Sequence, residues 1–381
     1  MNFKTIYLIV MSIAIFAMAS TACGVIGGGG TYKIGLLSPQ TGPLGVYAPG
    51  FEDAANVAIA ELNDNEDGNV FELIVADSGC DGTQAATGAQ TLVDSGVVGI
   101  VGAACSGATL GAIAVASEAG IPMVSYASTS PAVTAADDNG YLFRVVPSDA
   151  QQAVALTAVV ADGGDSNPAV LYMTNDYGSG LADNFSANWS GAICTTNAYD
   201  PTEGSYDAST IAQSVIDAGC DSAVLVSYAT DGASIIEALK SQGFGGTIYG
   251  ADGIADAAFA KAFTDAAAVS GVIATKPRPG AESSAQSTFN KAYAAVGGDA
   301  EGIYTHETYD AVKIMANAAL EGSDDIRDDL ASVGSSYDGA SGVHSFDSNG
   351  DVAGTGYEVC QFDPAFTCTR IWTGSGGLAS Q

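Results

Sequence analysis

Two loops of the chain carry small hydroxyl residues at places where a predicted strand gives way to a predicted helix. The first loop, Gly102 to Ala108, contains Ser106, and the second, Ser125 to Pro131, contains Thr129. Hydroxyl groups and free backbone N–H groups at helix N-termini bind an anion without any basic side chain. The ordinary alternative is N-capping, in which each hydroxyl bonds only its own helix. Two neighbouring loops of one kind favour a carboxylate site.

A third loop offers the opposite charge. Asp252 lies in Gly250 to Gly253, directly after a predicted strand, and its carboxylate can form a charge-assisted hydrogen bond to an ammonium group. An ordinary turn role is the alternative, because the chain has 43 acidic residues. Tyr177 and Tyr228 also stand where predicted strands end, although packing in a core explains most tyrosines.

Catalytic patterns are missing from the sequence. It has no GxSxG nucleophile motif, and His306 and His344 are its only histidines. Cys105 as a nucleophile conflicts with its expected disulfide. We therefore predict a binding protein rather than an enzyme, without cofactor or metal.

The length and the net charge of the chain limit its domain organisation and its possible partners. A chain of 381 residues exceeds the usual size of one domain, so two lobes are expected. The net charge of −32 argues against nucleic acid, anionic membrane surfaces and polyanionic substrates as partners. Solubility, in a salty habitat where charge is screened, is the simplest reason for the acidity.

The N-terminus predicts export. Lys4 precedes the short apolar run Ile6 to Met18, and small residues lead to Cys23. We interpret residues 1–22 as a lipoprotein signal peptide, Cys23 as the lipidated residue and residues 23–30 as a flexible tether. Plain secretory cleavage is the alternative. Nothing later in the sequence resembles a membrane span.

Six cysteines remain once Cys23 is set aside from the seven, an even number that suits an oxidising compartment. Six cysteines allow fifteen pairings, so spacing alone leaves the connectivity open. The preferred set is Cys80–Cys105, Cys194–Cys220 and Cys360–Cys368, the last of which would clamp a hairpin. Zinc binding is disfavoured because the cysteines form no CxxC pairs.

From residue 31 the chain alternates β-type runs with segments of helical length, which is typical of parallel α/β sheets. The runs are nearly continuous in Val, Ile and Leu, as expected for strands covered on both faces. After residue 274 the pattern changes to two consecutive helices, 282–296 and 304–320, and then to a hairpin-like tail with β-type runs at 343–346, 357–362 and 367–372. The last segment, 374–381, is polar and glycine-rich and is expected to fray.

Taken together, several motifs resemble the periplasmic leucine/isoleucine/valine-binding proteins, the type I solute-binding receptors of branched-chain amino acid ABC transporters. The resemblance spans about Lys33 to Trp372. Its motifs are residues 35–39 with 41–43, Asp77 to Asp81, Gly102 to Ala108, Tyr126 to Pro131, Phe143-Arg144, Tyr177 to Leu181 and Thr275 to Pro277.

The resemblance implies roles for individual residues. Ser106 and Thr129 would hold the ligand's α-carboxylate, and Asp252 would hold its α-ammonium together with the Ala127 carbonyl and the Thr129 hydroxyl. Asp252 stands where this family often has Glu, so its shorter arm would need a water molecule or tighter closure. The remaining roles are a cover from Tyr177 and Tyr228, a side-chain pocket bounded by Tyr47, Ala104 and Tyr304, and a family disulfide at Cys80–Cys105.

The resemblance also implies the architecture: an α/β protein of two lobes, each a parallel doubly wound sheet, joined by three hinge crossings. The expected crossings are 146–148, 275–277 and near 339–342. Lobe 1 is then 31–147 plus 276–341, and lobe 2 is 148–275 plus 342–381. The protein would act as a periplasmic, lipid-anchored monomer that delivers an amino acid to an inner-membrane permease. A binder of urea, short amides or another small carboxylate, and a sensing subunit of a receptor, are the alternatives.

Overall fold

The structure is a computed structural model that describes residues 29–64, 68–300, 302–323, 325–363, 365–374 and 377–381. The predicted signal peptide, the lipidation site Cys23 and most of the tether lie outside these residues. Within the described ranges, no helix combines the length and apolar character needed to cross a membrane.

Five parallel strands form the first sheet of the described chain. They are β1 (Thr31–Ser38), β2 (Val70–Asp77), β3 (Gly99–Gly102), β4 (Met123–Ser125) and β5 (Leu142–Arg144). Their spatial order is β2-β1-β3-β4-β5, so the direction of winding reverses between β1 and β3. At such a reversal a ligand crevice opens outside the carboxyl ends of the strands. The loops after β1 and β3 therefore border a potential site.

The later strands, as far as the structure describes them, form a second sheet of eight strands and a small two-stranded ladder. They are β6 (Pro168–Met173), β7 (Thr195–Tyr199), β8 (Ser222–Val226), β9 (Thr247–Gly250), β10 (Ile273–Pro277), β11 (Tyr337–Asp338), β12 (Val343–His344), β13 (Tyr357–Phe362), β14 (Phe366–Trp372) and β15 (Leu378–Ser380). The second sheet has the order β7-β6-β8-β9-β10-β13-β14-β15, and β11 pairs only with β12. Its winding reverses between β6 and β8, which places a second crevice there.

Helices connect the strands and cover both sheets. They are α1 (Ala48–Asn63), α2 (Gly82–Asp94), α3 (Ser106–Glu118), α4 (Pro131–Thr134), α5 (Asp149–Asp162), α6 (Asp176–Asn188), α7 (Ala208–Ala218), α8 (Ala229–Ser241), α9 (Ser284–Ala295), α10 (Thr305–Glu321) and α11 (Ile326–Val333). Side-chain caps fix several starting points: Asp81 accepts from two amides of α2, and Asn175 accepts from Gly178 in α6. A cap of this kind contributes about 1 kcal/mol.

The predicted fold of two α/β lobes is confirmed, but the second sheet is not wholly parallel. Strand β13 is antiparallel to β10, and β14 and β15 continue the antiparallel pattern because short connections join β13, β14 and β15. The expectation that 374–381 frays was wrong for Leu378–Ser380, since β15 pairs with β14. The run Val343–Phe346 was also misplaced, because β12 pairs with β11 outside the tail hairpin.

Two of the three crossings differ from the expected positions. The second begins after Pro277, because β10 continues to that residue within the second sheet. The third lies after Asp351 and not at 339–342. Residues up to Asp351 stay on the first lobe, where Gly350 accepts a backbone hydrogen bond from Arg144 and the Phe346 ring packs on Phe143. The first lobe thus extends about ten residues beyond its expected end at 341.

Arg144 ties this late segment to the first sheet. The guanidinium is fully buried and donates to both carboxylate oxygens of Asp351, at 2.7 and 2.8 Å. It also donates to the carbonyls of Ser128 and Ser130 and to the hydroxyl of Thr134. One side chain therefore fixes the loop after β4 and the chain that leads into the third crossing.

All three preferred disulfides are present: Cys80–Cys105, Cys194–Cys220 and Cys360–Cys368. The first joins the loop after β2 to the residue just before α3. The second joins the segment before β7 to the one before β8. The third crosses the hairpin of β13 and β14, as predicted.

Candidate functional site

The two winding reversals face each other across the gap between the lobes. On the first lobe, Tyr47 follows β1, Ser106 follows β3 and Ala127 follows β4. On the second, Tyr177 follows β6 and Tyr228 follows β8. The carboxyl ends of parallel strands thus bring residues that are far apart in sequence to one place.

A narrow cleft lies at this junction. It is lined by Leu44, Tyr47, Phe51, Ala104, Ser106, Ala127, Tyr177, Tyr228, Asp252, Gly253, Ile303 and Tyr304. All the ligand-contacting residues expected from the sequence are in this lining except Thr129, which is buried. The lining, drawn from the described part of the chain, contains no lysine, arginine or histidine.

Ser106 does not cap its own helix. It is the first residue of α3, whose N-cap position is Cys105, and its Oγ accepts a hydrogen bond from the backbone N–H of Ser130 at 3.2 Å. The hydroxyl of one loop is therefore joined to the backbone of the next. The capping alternative does hold for Ser130, whose Oγ accepts from Ala132 in α4.

Thr129 is held by a residue that sequence reasoning missed. Its Oγ1 donates to Asp149 Oδ2 at 3.0 Å, and its carbonyl accepts from the Asp149 N–H at 2.8 Å. Asp149 is fully buried, and its other oxygen, Oδ1, has no protein partner. In the sequence Asp149 resembles an ordinary acidic residue in the first turn of a helix. Its burial is visible only in the folded structure, so sequence reasoning could not single it out.

Asp252 contributes a buried carboxylate from the second lobe. Tyr177 donates to its Oδ1 at 2.9 Å, and Tyr304 donates to its Oδ2 at 2.7 Å. Burial raises the pKa of Asp252, and the hydrogen bonds from Tyr304 and Tyr177 oppose that rise. Tyr304 belongs to the first lobe, so this carboxylate bridges the two lobes.

Aromatic rings enclose the rest of the cleft. Tyr177 and Tyr228 stack with ring centroids 5.2 Å apart and planes only 6° from parallel. On the opposite wall, Leu44, Phe51 and Ile303 add apolar surface that the sequence analysis did not single out. Their residue types are common in cores, so nothing in the sequence distinguishes them from packing residues.

The lobes touch at the rim of the cleft. Ser130 Oγ on the first lobe donates to the backbone carbonyl of Asp176 on the second, at 2.8 Å. Glycine allows this approach, because a Cβ at Gly180 would lie 2.9 Å from Ser130 Oγ and 3.0 Å from Pro131. The structure is thus a closed arrangement of the lobes.

A buried acid outside the lining leads to a prediction about pH. Burial raises the pKa of Asp231 to about 7, against the hydrogen bond from Tyr199. Between about pH 4 and 7 the folded state keeps a proton that the unfolded state loses, so stability falls as pH rises. We expect Asp231→Asn to be more stable than the wild type at pH 8, by on the order of 2–4 kcal/mol. In denaturant titrations the gain should vanish towards pH 4; a gain independent of pH would contradict the assignment.

Comparison with known proteins agrees with this geometry. Residues 31–365 match the periplasmic binding protein family. The chain belongs to that family. Members of this kind function outside the cytoplasm. The matched family and the relatives described below are binding proteins, which agrees with the prediction that the chain is not an enzyme.

Individual relatives cover nearly the whole of this periplasmic binding protein. The leucine-, isoleucine-, valine-, threonine-, and alanine-binding protein of Pseudomonas aeruginosa is 25% identical over 369 residues, which cover 95% of this chain and 96% of that protein. The Leu/Ile/Val-binding protein BraC3 of Rhizobium johnstonii is 27% identical, covering 87% and 91%.

Solved structures give the same result for the fold. The branched-chain amino acid transporter substrate binding protein LivJ of Streptococcus pneumoniae, in complex with isoleucine, has a TM-score of 0.79 and 25% identity. The match covers 89% of this chain and 99% of that one. The leucine binding protein LivK of Thermotoga maritima has a TM-score of 0.80 at 23% identity, with 89% and 98% covered, and supports the fold alone.

Proposed function

We propose that this protein is the substrate-binding component of an ABC transporter and that it binds an aliphatic, branched-chain amino acid between its lobes. One observation carries the proposal: the cleft combines hydroxyl and backbone groups, a buried carboxylate at Asp252 and apolar walls, without a basic side chain in its lining. An α-amino acid has the matching parts, namely a carboxylate, an ammonium and an apolar side chain.

The carboxylate would lie against Ser106 and the backbone amides of the Ser106 and Thr129 loops. These amides belong to helix starts or adjoining loops, where N–H groups favour negative charge. The ammonium would contact the Ala127 carbonyl, the Thr129 hydroxyl and Asp252. Charge-assisted bonds of this kind contribute about 1.5–3 kcal/mol each.

The ligand's side chain would lie among Tyr47, Ala104 and Tyr304, with Leu44, Phe51 and Ile303 beside them. Burial of an aliphatic side chain contributes about 1.5–3 kcal/mol. Tyr177 and Tyr228 would cover the ligand from the second lobe. The relatives whose names specify leucine, isoleucine and valine support this choice of side chain.

Closure would proceed by bending at the three crossings, with the ligand first bound on the first lobe. Excluding water strengthens the few ionic contacts. A micromolar dissociation constant would correspond to about −8 kcal/mol, which these contacts can supply after the costs of association. The closed form would dock on an inner-membrane permease.

We further propose that Cys23 carries a lipid and that residues 23–30 tether a monomeric binding unit to the membrane. The apolar run before Cys23 and the glycines at 27–30 support this assignment. Mass spectrometry of the mature protein tests it. An unmodified chain that begins downstream of Cys23 would contradict it.

A thermal-shift screen of the twenty amino acids, urea and acetamide tests the proposed function. We expect leucine, isoleucine and valine to raise the melting temperature most, because the stabilisation grows with ligand concentration over Kd. Calorimetry should then give the affinities. Stabilisation by urea or acetamide alone, with no response to any amino acid, would contradict the proposal and favour the amide-binding alternative.

A further inference from the structure

We propose that Asp256 controls how long a ligand stays bound, because it accepts a hydrogen bond across the gap between the closed lobes. The donor is the backbone N–H of Ile303, whose nitrogen lies 2.7 Å from Asp256 Oδ2. Asp256 belongs to the second lobe, between β9 and β10, and Ile303 belongs to the first, just before α10. This hydrogen bond is called the closure contact below. The inference rests on the proposed function, since it concerns the release of the same ligand.

Asp256 also has a local role, which uses only one of its two oxygens. Oδ1 accepts from the Ala258 N–H at 2.6 Å and so caps the short 3-10 helix Ala257–Ala262. One acceptor oxygen is enough for a cap of this kind, as at Asp265, whose Oδ1 alone accepts from Ala267. Capping therefore explains Oδ1 and leaves the bond from Oδ2 to the first lobe unexplained, in a residue that is buried.

The backbone before α10 has a conformation that depends on its contacts. Tyr304 has a φ of 57° and a ψ of 16°, in the left-handed region that residues with a side chain rarely adopt. Such a conformation persists only where the surrounding structure holds it. Two consecutive residues contact the second lobe at this point: Ile303 donates its N–H to Asp256, and Tyr304 donates its phenol proton to Asp252. The start of α10 is thus anchored twice to the opposite lobe.

Only one of these two anchors is separate from the proposed ligand contacts. Asp252 and Tyr304 both line the cleft, so a change at either alters the ligand's surroundings as well as the closure of the lobes. Asp256 does not belong to the lining, and its partner at Ile303 is a backbone amide. A change at Asp256 can therefore act on closure while the side chains offered to the ligand stay the same.

The closure contact has a specific kinetic consequence. Its two partners are on different lobes, so it forms only when the lobes close over a ligand already held by the first lobe. An interaction made in the closed state alone lowers the free energy of that state and leaves the capture step unchanged. The closure contact therefore slows the reopening of the lobes and the release of the ligand.

Asp256→Ser tests the inference on the full chain, with L-leucine as the probe. Serine is a good N-cap, so the bond to Ala258 is kept, but its single and shorter oxygen cannot also serve Ile303. Release of radiolabelled L-leucine and stopped-flow tyrosine fluorescence give the dissociation and association rate constants. Dissociation is expected to be about tenfold faster or more, the effect of losing one hydrogen bond to a charged group, and association should stay within about twofold.

Two further variants complete the experiment. Asp265→Ser is the matched control, because it makes the same change at an exposed capping aspartate, and it should leave both rate constants within about twofold of the wild type. Asp256→Asn keeps the shape of the side chain. With its one oxygen at the cap, its amide nitrogen faces the Ile303 N–H as a second donor, so it should also release L-leucine faster.

Each other outcome counts against the inference. An unchanged dissociation rate in Asp256→Ser, or weaker binding that comes from slower association, would overturn it while the proposed function stands. Equally fast release from Asp265→Ser would assign the effect to capping and would also overturn it. If Asp256→Ser fails to fold, the dissociation rate of Asp256→Asn decides alone. If the wild type does not bind L-leucine, the proposed function fails and this inference falls with it.

Discussion

Replacing Asp252 with alanine is expected to weaken amino-acid binding by 2 kcal/mol or more, about thirtyfold. The carboxylate is buried and bridges the lobes through Tyr177 and Tyr304. Its removal would leave the ligand's ammonium without its opposite charge in a setting that excludes water. Calorimetry with L-leucine measures the effect.

Two further variants make the result specific. Asp252→Asn keeps the shape and one acceptor oxygen for a phenol, whereas its amide nitrogen can only donate to the other phenol. An equal loss in Asp252→Ala and Asp252→Asn would therefore show that shape and one acceptor do not replace the charge of the carboxylate. Asp265→Asn is the control, because Asp265 is an exposed acid that caps a short 3-10 turn (Ala266–Val269) away from the cleft. An unchanged affinity in Asp252→Ala would remove Asp252 from the site.

Arg144→Ala is expected to destabilise the fold by about 3–5 kcal/mol, the usual cost of breaking a buried ion pair from one side. The variant removes the guanidinium from the Asp351 carboxylate and from the carbonyls of Ser128 and Ser130. Asp351 keeps only the Thr134 hydroxyl as a side-chain donor among the described residues, so its charge loses its cationic partner. Arg144→Lys should not restore stability, because an ammonium cannot reproduce the planar, forked set of hydrogen bonds. Denaturant unfolding measures both.

The same substitution on the surface provides the comparison. Arg370 pairs with Asp162 where both side chains are partly exposed, so Arg370→Ala should cost less than about 1 kcal/mol. Because Arg144 also fixes the loop that carries Thr129, its loss should weaken ligand binding as well. Stability of Arg144→Ala within 1 kcal/mol of the wild type would show that the buried pair is not needed.

Much of this arrangement could be predicted because parallel sheets impose it. Once the alternating runs are recognised as βα units, the carboxyl ends of the strands must share an edge, and loops after β3, β4, β6 and β8 meet there. This reason places Tyr177 and Tyr228 at one edge of the second sheet, and Ser106 at the corresponding edge of the first; that the two edges face each other follows from how the lobes pack. The disulfides were harder to predict, because the spacing of the cysteines leaves the pairings open. The structure contains the preferred set.

What the sequence did not reveal depends on tertiary context. Asp149 looks like any acid near a helix start, and only its complete burial beside Thr129 makes it unusual. The third crossing was misplaced because glycines at 339–342 suggest a linker, whereas Asp310 of α10 binds the amides of Ala340 and Ser341 and keeps that segment on the first lobe. A contact between residues thirty positions apart leaves no local pattern.

The absence of a side chain at Gly180 determines how closely the two lobes can approach each other. A single methyl group at Gly180 would contact Ser130 and Pro131 before the hydrogen bond from Ser130 to Asp176 formed. The two lobes would then remain apart by a fraction of an ångström. A ligand could still bind to the first lobe, but the two lobes would not reach their fully closed arrangement. A side chain at Gly180 would therefore separate ligand binding to the first lobe from complete closure of the two lobes.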